Sequence, residues 1–230
     1  MDIFRFTILE HNLSKCYNLM MSRTLLLTSA GMRMQDEILK LLPKPPAETR
    51  LAHIITASNE INPHPWRDND KKEMIKLGIQ VEDIDIKGKT ESELRLILKD
   101  KDVIYVQGGS PYYLLKYVKE SGFDKVVGDL INKGVLYIGA SAGSYITCPT
   151  IEQALWKKPR RNRHGLPADE PAMNLVSFLI AVHFKPKFKK NIKIGIGKTK
   201  YPVRILTDDQ AILVKDGKAK LVGKGKEIRL

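Results

Sequence analysis

Cysteine is scarce in this 230-residue chain: Cys16 and Cys148 are the only two. Two such distant thiols make no disulfide framework and no metal-ligand cluster, so the fold must rest on a packed core, and a reducing, cytoplasmic compartment is expected. Long apolar runs are also lacking. No stretch reaches the roughly 18 residues of a membrane-spanning helix, which argues against one. Residues 1–22 have neither the basic start nor the continuous apolar segment of a signal peptide. They show no period and are expected to form an irregular extension ahead of one domain over 23–230. Internal repeats, low-complexity tracts and a linker long enough to divide domains are all missing.

What is abundant is positive charge. Lysine and arginine number 39 against 26 acidic residues, a net charge of +13. The lysines are spread along the chain and no nucleic-acid module accompanies them, so a solvated basic surface is expected and no specific nucleic-acid partner. Non-specific nucleic-acid binding stays as an alternative reading of the charge. Two local concentrations stand out, at 157–163 and at 185–193.

From Thr24 the chain alternates between short apolar runs and helical spacing. Strands are predicted at 24–28, 53–56, 79–86, 103–106 and 135–138, with helices at 34–42, 70–77, 91–98, 111–119 and 124–132. Thr90 is placed to cap the helix at 91. Strands alternating with helices imply an α/β fold, a mostly parallel sheet with helices on both faces. The C-terminal part changes style. Short strands at 203–206, 211–214 and 218–222, with an Asp216-Gly217 turn, predict an antiparallel extension of the same sheet.

The sharpest motif is Gly139-Ala140-Ser141-Ala142-Gly143, between a predicted strand and a helix. A nucleophile on so tight a turn needs small neighbours, and the following helix points its positive end at the hydroxyl. The Ala142 amide is then a candidate oxyanion donor. Gln107-Gly108-Gly109-Ser110-Pro111 closes the preceding strand and opens a helix, at the sheet edge where ligands bind. If the two strands are neighbours, the Gly109 or Ser110 amide can supply a second donor. Gly195-Ile196-Gly197-Lys198-Thr199 ends like a phosphate-binding loop, but Ile192 stands where that motif needs its first glycine.

Val106-Gln107-Gly108-Gly109-Ser110-Pro111-Tyr112-Tyr113-Leu114-Leu115, followed by Tyr137-Ile138-Gly139-Ala140-Ser141-Ala142-Gly143-Ser144, resembles the dipeptidase E (aspartyl dipeptidase) and cyanophycinase family of serine peptidases. The resemblance runs from about Thr24 to Leu230. It implies a fold like that of class I glutamine amidotransferases, with serine in place of the cysteine. It also implies hydrolysis of short peptides through an acyl-enzyme, with no metal and no organic cofactor.

A serine nucleophile needs a base, usually histidine, and a group that orients it. The candidates are His11, His53, His64, His164 and His183. The family's base follows an apolar strand within a proline-His-aromatic phrase, which favours His183 in Val182-His183-Phe184, although valine stands at the proline's place. His64 and His164 remain alternatives, and His53 reads as structural. The family's acidic member lies between two late strands, which selects Asp208, with Asp209 as the alternate. The order Ser, His, Asp departs from that of ordinary α/β-hydrolases.

Family members prefer an N-terminal aspartate held by a basic residue beyond the histidine. Lys185 and Lys187 occupy that stretch here, and with Ser110 they are the expected substrate contacts. The expected partner is a small peptide, possibly a dipeptide with an acidic first residue, and the expected state is monomer or homodimer. A catalytically silent member of the same fold that binds a small acidic ligand is the alternative.

Overall fold

Successive side chains of the strands enter opposite layers. In β1 (Thr24–Thr28) Leu25 and Leu27 join one apolar cluster and Leu26 the other; in β4 (Val103–Val106) Ile104 and Val106 oppose Val103 and Tyr105. Strands apolar on both sides need cover on both faces, and helices supply it. The computed structural model describes residues 22–230. The N-terminal extension expected over 1–22 therefore lies almost wholly outside the described residues.

The remaining strands are β2 (Arg50–Ile54), β3 (Gln80–Ile84), β5 (Leu136–Ala140), β6 (Leu179–Ala181), β7 (Val203–Ile205), β8 (Gln210–Lys215) and β9 (Lys218–Gly223). The helices are α1 (Gln35–Leu41), α2 (Thr56–Asn59), α3 (Pro65–Lys76), α4 (Glu91–Leu98), α5 (Pro111–Ser121), α6 (Phe123–Asn132), α7 (Ala142–Tyr145), α8 (Gln153–Trp156) and α9 (Lys189–Ile196). Seven strands form one sheet in the order β3-β2-β4-β5-β1-β8-β9. The first five are mutually parallel; β8 and β9 add antiparallel. The mostly parallel α/β sheet with late antiparallel strands is as expected. Helix α4 begins where Thr90 caps it, through a reciprocal capping box with Glu93.

Three elements differ from expectation. Strand β2 lies earlier than 53–56, because Ile55 leaves the extended region (φ −93°, ψ −5°) and Thr56 Oγ1 donates to Asp85 at 2.7 Å. His53 thus sits inside the strand, fully buried between Asp83 and Gln107. Helix α3 starts at Pro65, five residues before the expected start, since proline is well suited to a first helical turn. The third difference matters most. β7 does not extend the main sheet; it pairs in parallel with β6 in a separate two-stranded sheet, Ala181 beside Ile205. The connection between them carries α9, and a helical crossover returns a strand parallel, not antiparallel.

Candidate active site

The carboxyl ends of β4, β5 and β1 lie side by side, and the cleft above them is where an open parallel sheet binds ligands. It measures about 700 Å³. Ser141 leaves β5 with φ 50° and ψ −99°, a conformation costly for a side-chain-bearing residue. Two close backbone approaches allow it. A Cβ on Gly143 would stand 2.2 Å from the Val106 carbonyl oxygen, and one on Gly139 would stand 2.7 Å from the Gly143 carbonyl carbon. The Ser141 amide donates to the Thr28 carbonyl at 3.1 Å, tying the elbow to β1.

The β6–β7 pair aligns two loop residues beside that serine. His183 follows β6 and Asp208 follows β7, and the Phe184 amide donates to the Leu206 carbonyl at 2.9 Å between them. His183 Nε2 is 3.0 Å from Ser141 Oγ, and His183 Nδ1 is 2.5 Å from Asp208 Oδ1. Facing a carboxylate, Nδ1 carries the proton and Nε2 accepts from the serine hydroxyl. Asp209 turns away to Arg33, whose Nη2 lies 2.6 Å from its Oδ1. His64 caps α3 near Asp68, and His164 contacts Glu60 at 2.6 Å; neither lines the cleft. His11 lies outside the described residues.

Burial pushes the His183 imidazole below its ordinary value, against the raising influence of Asp208. Burial pulls the other way on Asp208, but the hydrogen bond and charge of His183, with the Ser29 hydroxyl, bring it below the usual carboxylate range. The histidine is therefore neutral, and the aspartate ionised, at neutral pH.

Ser29 was not read from the sequence as a site residue. It is fully buried at the end of β1. Its Oγ accepts from the His183 amide at 2.8 Å and donates to Asp208 Oδ1 at 3.2 Å. His183 has a positive φ of 53°, so this hydroxyl holds a strained backbone and the carboxylate at once. Ser29→Ala is expected to lower kcat about tenfold through loss of two hydrogen bonds. KM should stay within about twofold, because no substrate contact is removed. The labelling rate of Ser141 by a fluorophosphonate should fall with kcat; a change in KM alone would contradict this positioning role.

Of the expected oxyanion donors, Ala142 is the first residue of α7 and so has no acceptor within its helix. Among the described residues no acceptor is found for the Gly109 amide. A Cβ on Gly109 would stand 2.0 Å from the Ala57 carbonyl oxygen, so only glycine brings the loop this close. Of the expected substrate contacts, Lys185 and Lys187 line the cleft. Ser110 is buried, donates its amide to Ala57 at 2.8 Å, and lines a neighbouring cavity with Glu60 and Arg161 instead.

The basic stretch 157–163 also reaches the cleft, through Lys157, Lys158 and Arg161. Lys157 Nζ donates to the carbonyl of Val182, the residue before His183, and lies 5.7 Å from the Phe188 ring centre. Burial, then the neighbouring Arg161 charge, pulls its pKa down to about 8. Burial likewise lowers Arg161, whose Nε has no partner among the described residues. The phosphate-loop look-alike is a packing feature: Gly195 lies in α9, where a Cβ would stand 2.3 Å from the Trp156 ring.

A serine on a strand-to-helix elbow, hydrogen-bonded to a histidine over a parallel sheet, is the architecture of an α/β serine hydrolase. The profile of Peptidase family S51 matches residues 20–222, and the chain belongs to this family of serine-type peptidases. Among curated relatives, Uncharacterized peptidase Lin0382 of Listeria innocua is 34% identical over 149 residues, 64% of this chain and 71% of that one. Peptidase E of Escherichia coli is 33% identical over 91 residues, 38% of this chain and 36% of that one. The crystal structure of a "Putative Peptidase E Protein" from Listeria monocytogenes EGD-e superposes with a TM-score of 0.78 at 28% identity, covering 89% of this chain and all (100%) of that one. A peptidase from an acI-B1 Actinobacterium shares the fold, with a TM-score of 0.68 at 16% identity over 92% of this chain and 98% of that one.

Proposed function

We propose that this serine-type peptidase hydrolyses short peptides bearing a carboxylate near the scissile bond, through an acyl-enzyme on Ser141. The hydrogen-bonded chain Ser141–His183–Asp208 carries the reading. Ser141 Oγ attacks the peptide carbonyl carbon as His183 Nε2 takes its proton, while Asp208 orients the ring and stabilises the imidazolium. The oxyanion lies against the Gly109 and Ala142 amides. When the tetrahedral intermediate collapses, the C–N bond breaks and His183 protonates the leaving amine. Water, deprotonated by the same nitrogen, then releases the acid and restores Ser141.

The substrate preference rests on Lys157 and Arg161. Charges drawn partly out of water are normally paired, because desolvation without a counter-ion is costly, and Lys157 and Arg161 are half-buried. Here the lysine meets only a neutral carbonyl, and the arginine makes no ion pair among the described residues. A substrate carboxylate would complete both, with Lys185 and Lys187 adding attraction from the rim.

The test is turnover of X-Leu dipeptides, with X as Asp, Glu, Asn, Ala or Lys, from about pH 5 to about pH 9. That range spans the ordinary histidine and lysine-lowered values. Hydrolysis should require the neutral base, so kcat/KM should rise with pH through a midpoint below 6.5. Acidic X should be preferred, and the Asp-to-Ala ratio of kcat/KM should fall as pH rises through about 8, where Lys157 loses its charge. The ratio cancels the α-amine titration common to both peptides. Equal rates for Asp and Ala at every pH would remove the acidic-substrate reading.

A further inference from the structure

The same cleft holds one carboxylate that the proposed hydrolysis does not use. Asp70 projects from α3 and lines the cleft with Ser141. Its Oδ2 accepts from Tyr105 Oη at 2.7 Å and Gln107 Nε2 at 3.1 Å, while Oδ1 receives only the Met32 amide at 3.4 Å. All three donors are neutral. The Gln107 amide stands between Asp70 and the buried His53. Among the described residues Asp70 makes no ion pair, whereas Asp83 and Asp209 are matched by Lys71 and Arg33.

Position makes this carboxylate informative. Asp70 belongs with Met32, Met74 and Tyr105, the layer on one face of the sheet. Lys157 and Arg161 follow α8, which packs with Tyr145 and Ile146 in the layer on the other face. The cleft across the strand ends is therefore acidic on one flank and basic on the other, and neither charge is matched from within the described protein. Burial raises the Asp70 carboxyl somewhat, as expected of an anion without a counter-ion. The side chain is nonetheless held rigidly by Tyr105 and Gln107, the arrangement of a prepared ligand contact and not of a loose surface acid.

We infer that Asp70 is the subsite for the free α-ammonium group of the substrate, so that the enzyme reads a short peptide by its N-terminal charge. An ammonium has three donors, and the Asp70 Oδ1 edge has acceptor capacity to spare. A substrate with an ammonium at one end and a carboxylate beyond would compensate both flanks together. Acetylation of the amine would leave Asp70 buried beside a neutral group, which is costly. This inference rests on the cleft being the peptide site, but not on turnover there.

Binding to Ser141→Ala separates the two. Calorimetry at about pH 6.5 would compare Asp-Leu with N-acetyl-Asp-Leu, both left intact by the disabled nucleophile. The free peptide is expected to bind at least about tenfold more tightly, the lower range for a charge-assisted hydrogen bond. Asp70→Asn in the same background, which keeps an acceptor for Tyr105 and Gln107, should collapse the ratio to near one by weakening the free peptide. Equal affinity for the two peptides, or no binding of either at millimolar concentration, would overturn the inference. That comparison needs no Asp70 variant, so a misfolded variant would not rescue the idea. Wild-type hydrolysis of both peptides at equal rates would sink the amine subsite while the peptidase mechanism stood. Selective binding without wild-type turnover would do the reverse.

Discussion

Ser141→Ala is expected to lower kcat about 10⁴-fold or more while leaving substrate affinity and melting temperature close to wild type. The size follows from what the hydroxyl does: its side-chain partner is His183, and among the described residues no other group in the cleft is both activated and poised on an elbow. Its loss removes the acyl-enzyme route, leaving only binding and the oxyanion amides. Stability should hold because alanine adds nothing to the turn, and the positive φ of 50° is already paid for by the tie to Thr28. Asp208→Asn should approach the same loss for a different reason. An amide can present its NH₂ to Nδ1 and favour the tautomer with the proton on Nε2, which cannot accept from serine. Steady-state kinetics on the preferred dipeptide, with a fluorophosphonate to report serine reactivity, measures both. Retention of more than about a tenth of wild-type kcat by Ser141→Ala would remove this serine from the mechanism.

The nucleophile was legible because its constraints are local. A glycine on either side of a serine, set between an apolar strand and a helix, is a backbone requirement written within five positions, Gly139 to Gly143. The base and acid were legible only through family resemblance. Nothing near His183 or Asp208 in sequence states that β6 and β7 run parallel, and the expectation of an antiparallel strand at 203–206 would not have put the two loops at the same end. The parallel pairing, with Ala181 beside Ile205, does so. Ser29 illustrates what neighbouring residues cannot reveal. It follows β1, and it meets the histidine only because the sheet places β1 between β5 and β8. Asp70 was hidden in the same way, read as an ordinary helix residue until the fold set α3 beside the strand ends.

Charge follows a parallel logic. The excess of thirteen positive charges says little by itself, since most lysines point to solvent or pair with a neighbour such as Asp83 or Asp102. Lys157 and Arg161 differ because burial has separated them from counter-ions. A count cannot distinguish the two kinds of cation; only their surroundings do.

Gly143→Ala is expected to be the most damaging single methyl addition to the elbow. The new Cβ would stand 2.2 Å from the Val106 carbonyl oxygen and 2.9 Å from both the Val106 carbonyl carbon and Cβ. Val106 belongs to β4, held by β2 on one side and β5 on the other, so the strand cannot withdraw without breaking sheet hydrogen bonds. Overpacking against backbone of this kind costs about 3 kcal/mol, which in a chain of this size lowers the melting temperature by about 6–12 °C. Relief must come from α7 moving outward, and that movement carries Ser141 away from His183 Nε2, so activity should fall further than stability alone explains. Gly128→Ala supplies the contrast. Gly128 lies within α6 with nothing within 4 Å of its added Cβ, and alanine there should stabilise by up to about 1 kcal/mol through helix propensity. Thermal melts of both variants beside fluorophosphonate labelling would decide the matter. If Gly143→Ala melts and labels like wild type, the elbow is looser than the close approach of α7 to β4 implies, and the strain at Ser141 is not what poises its hydroxyl.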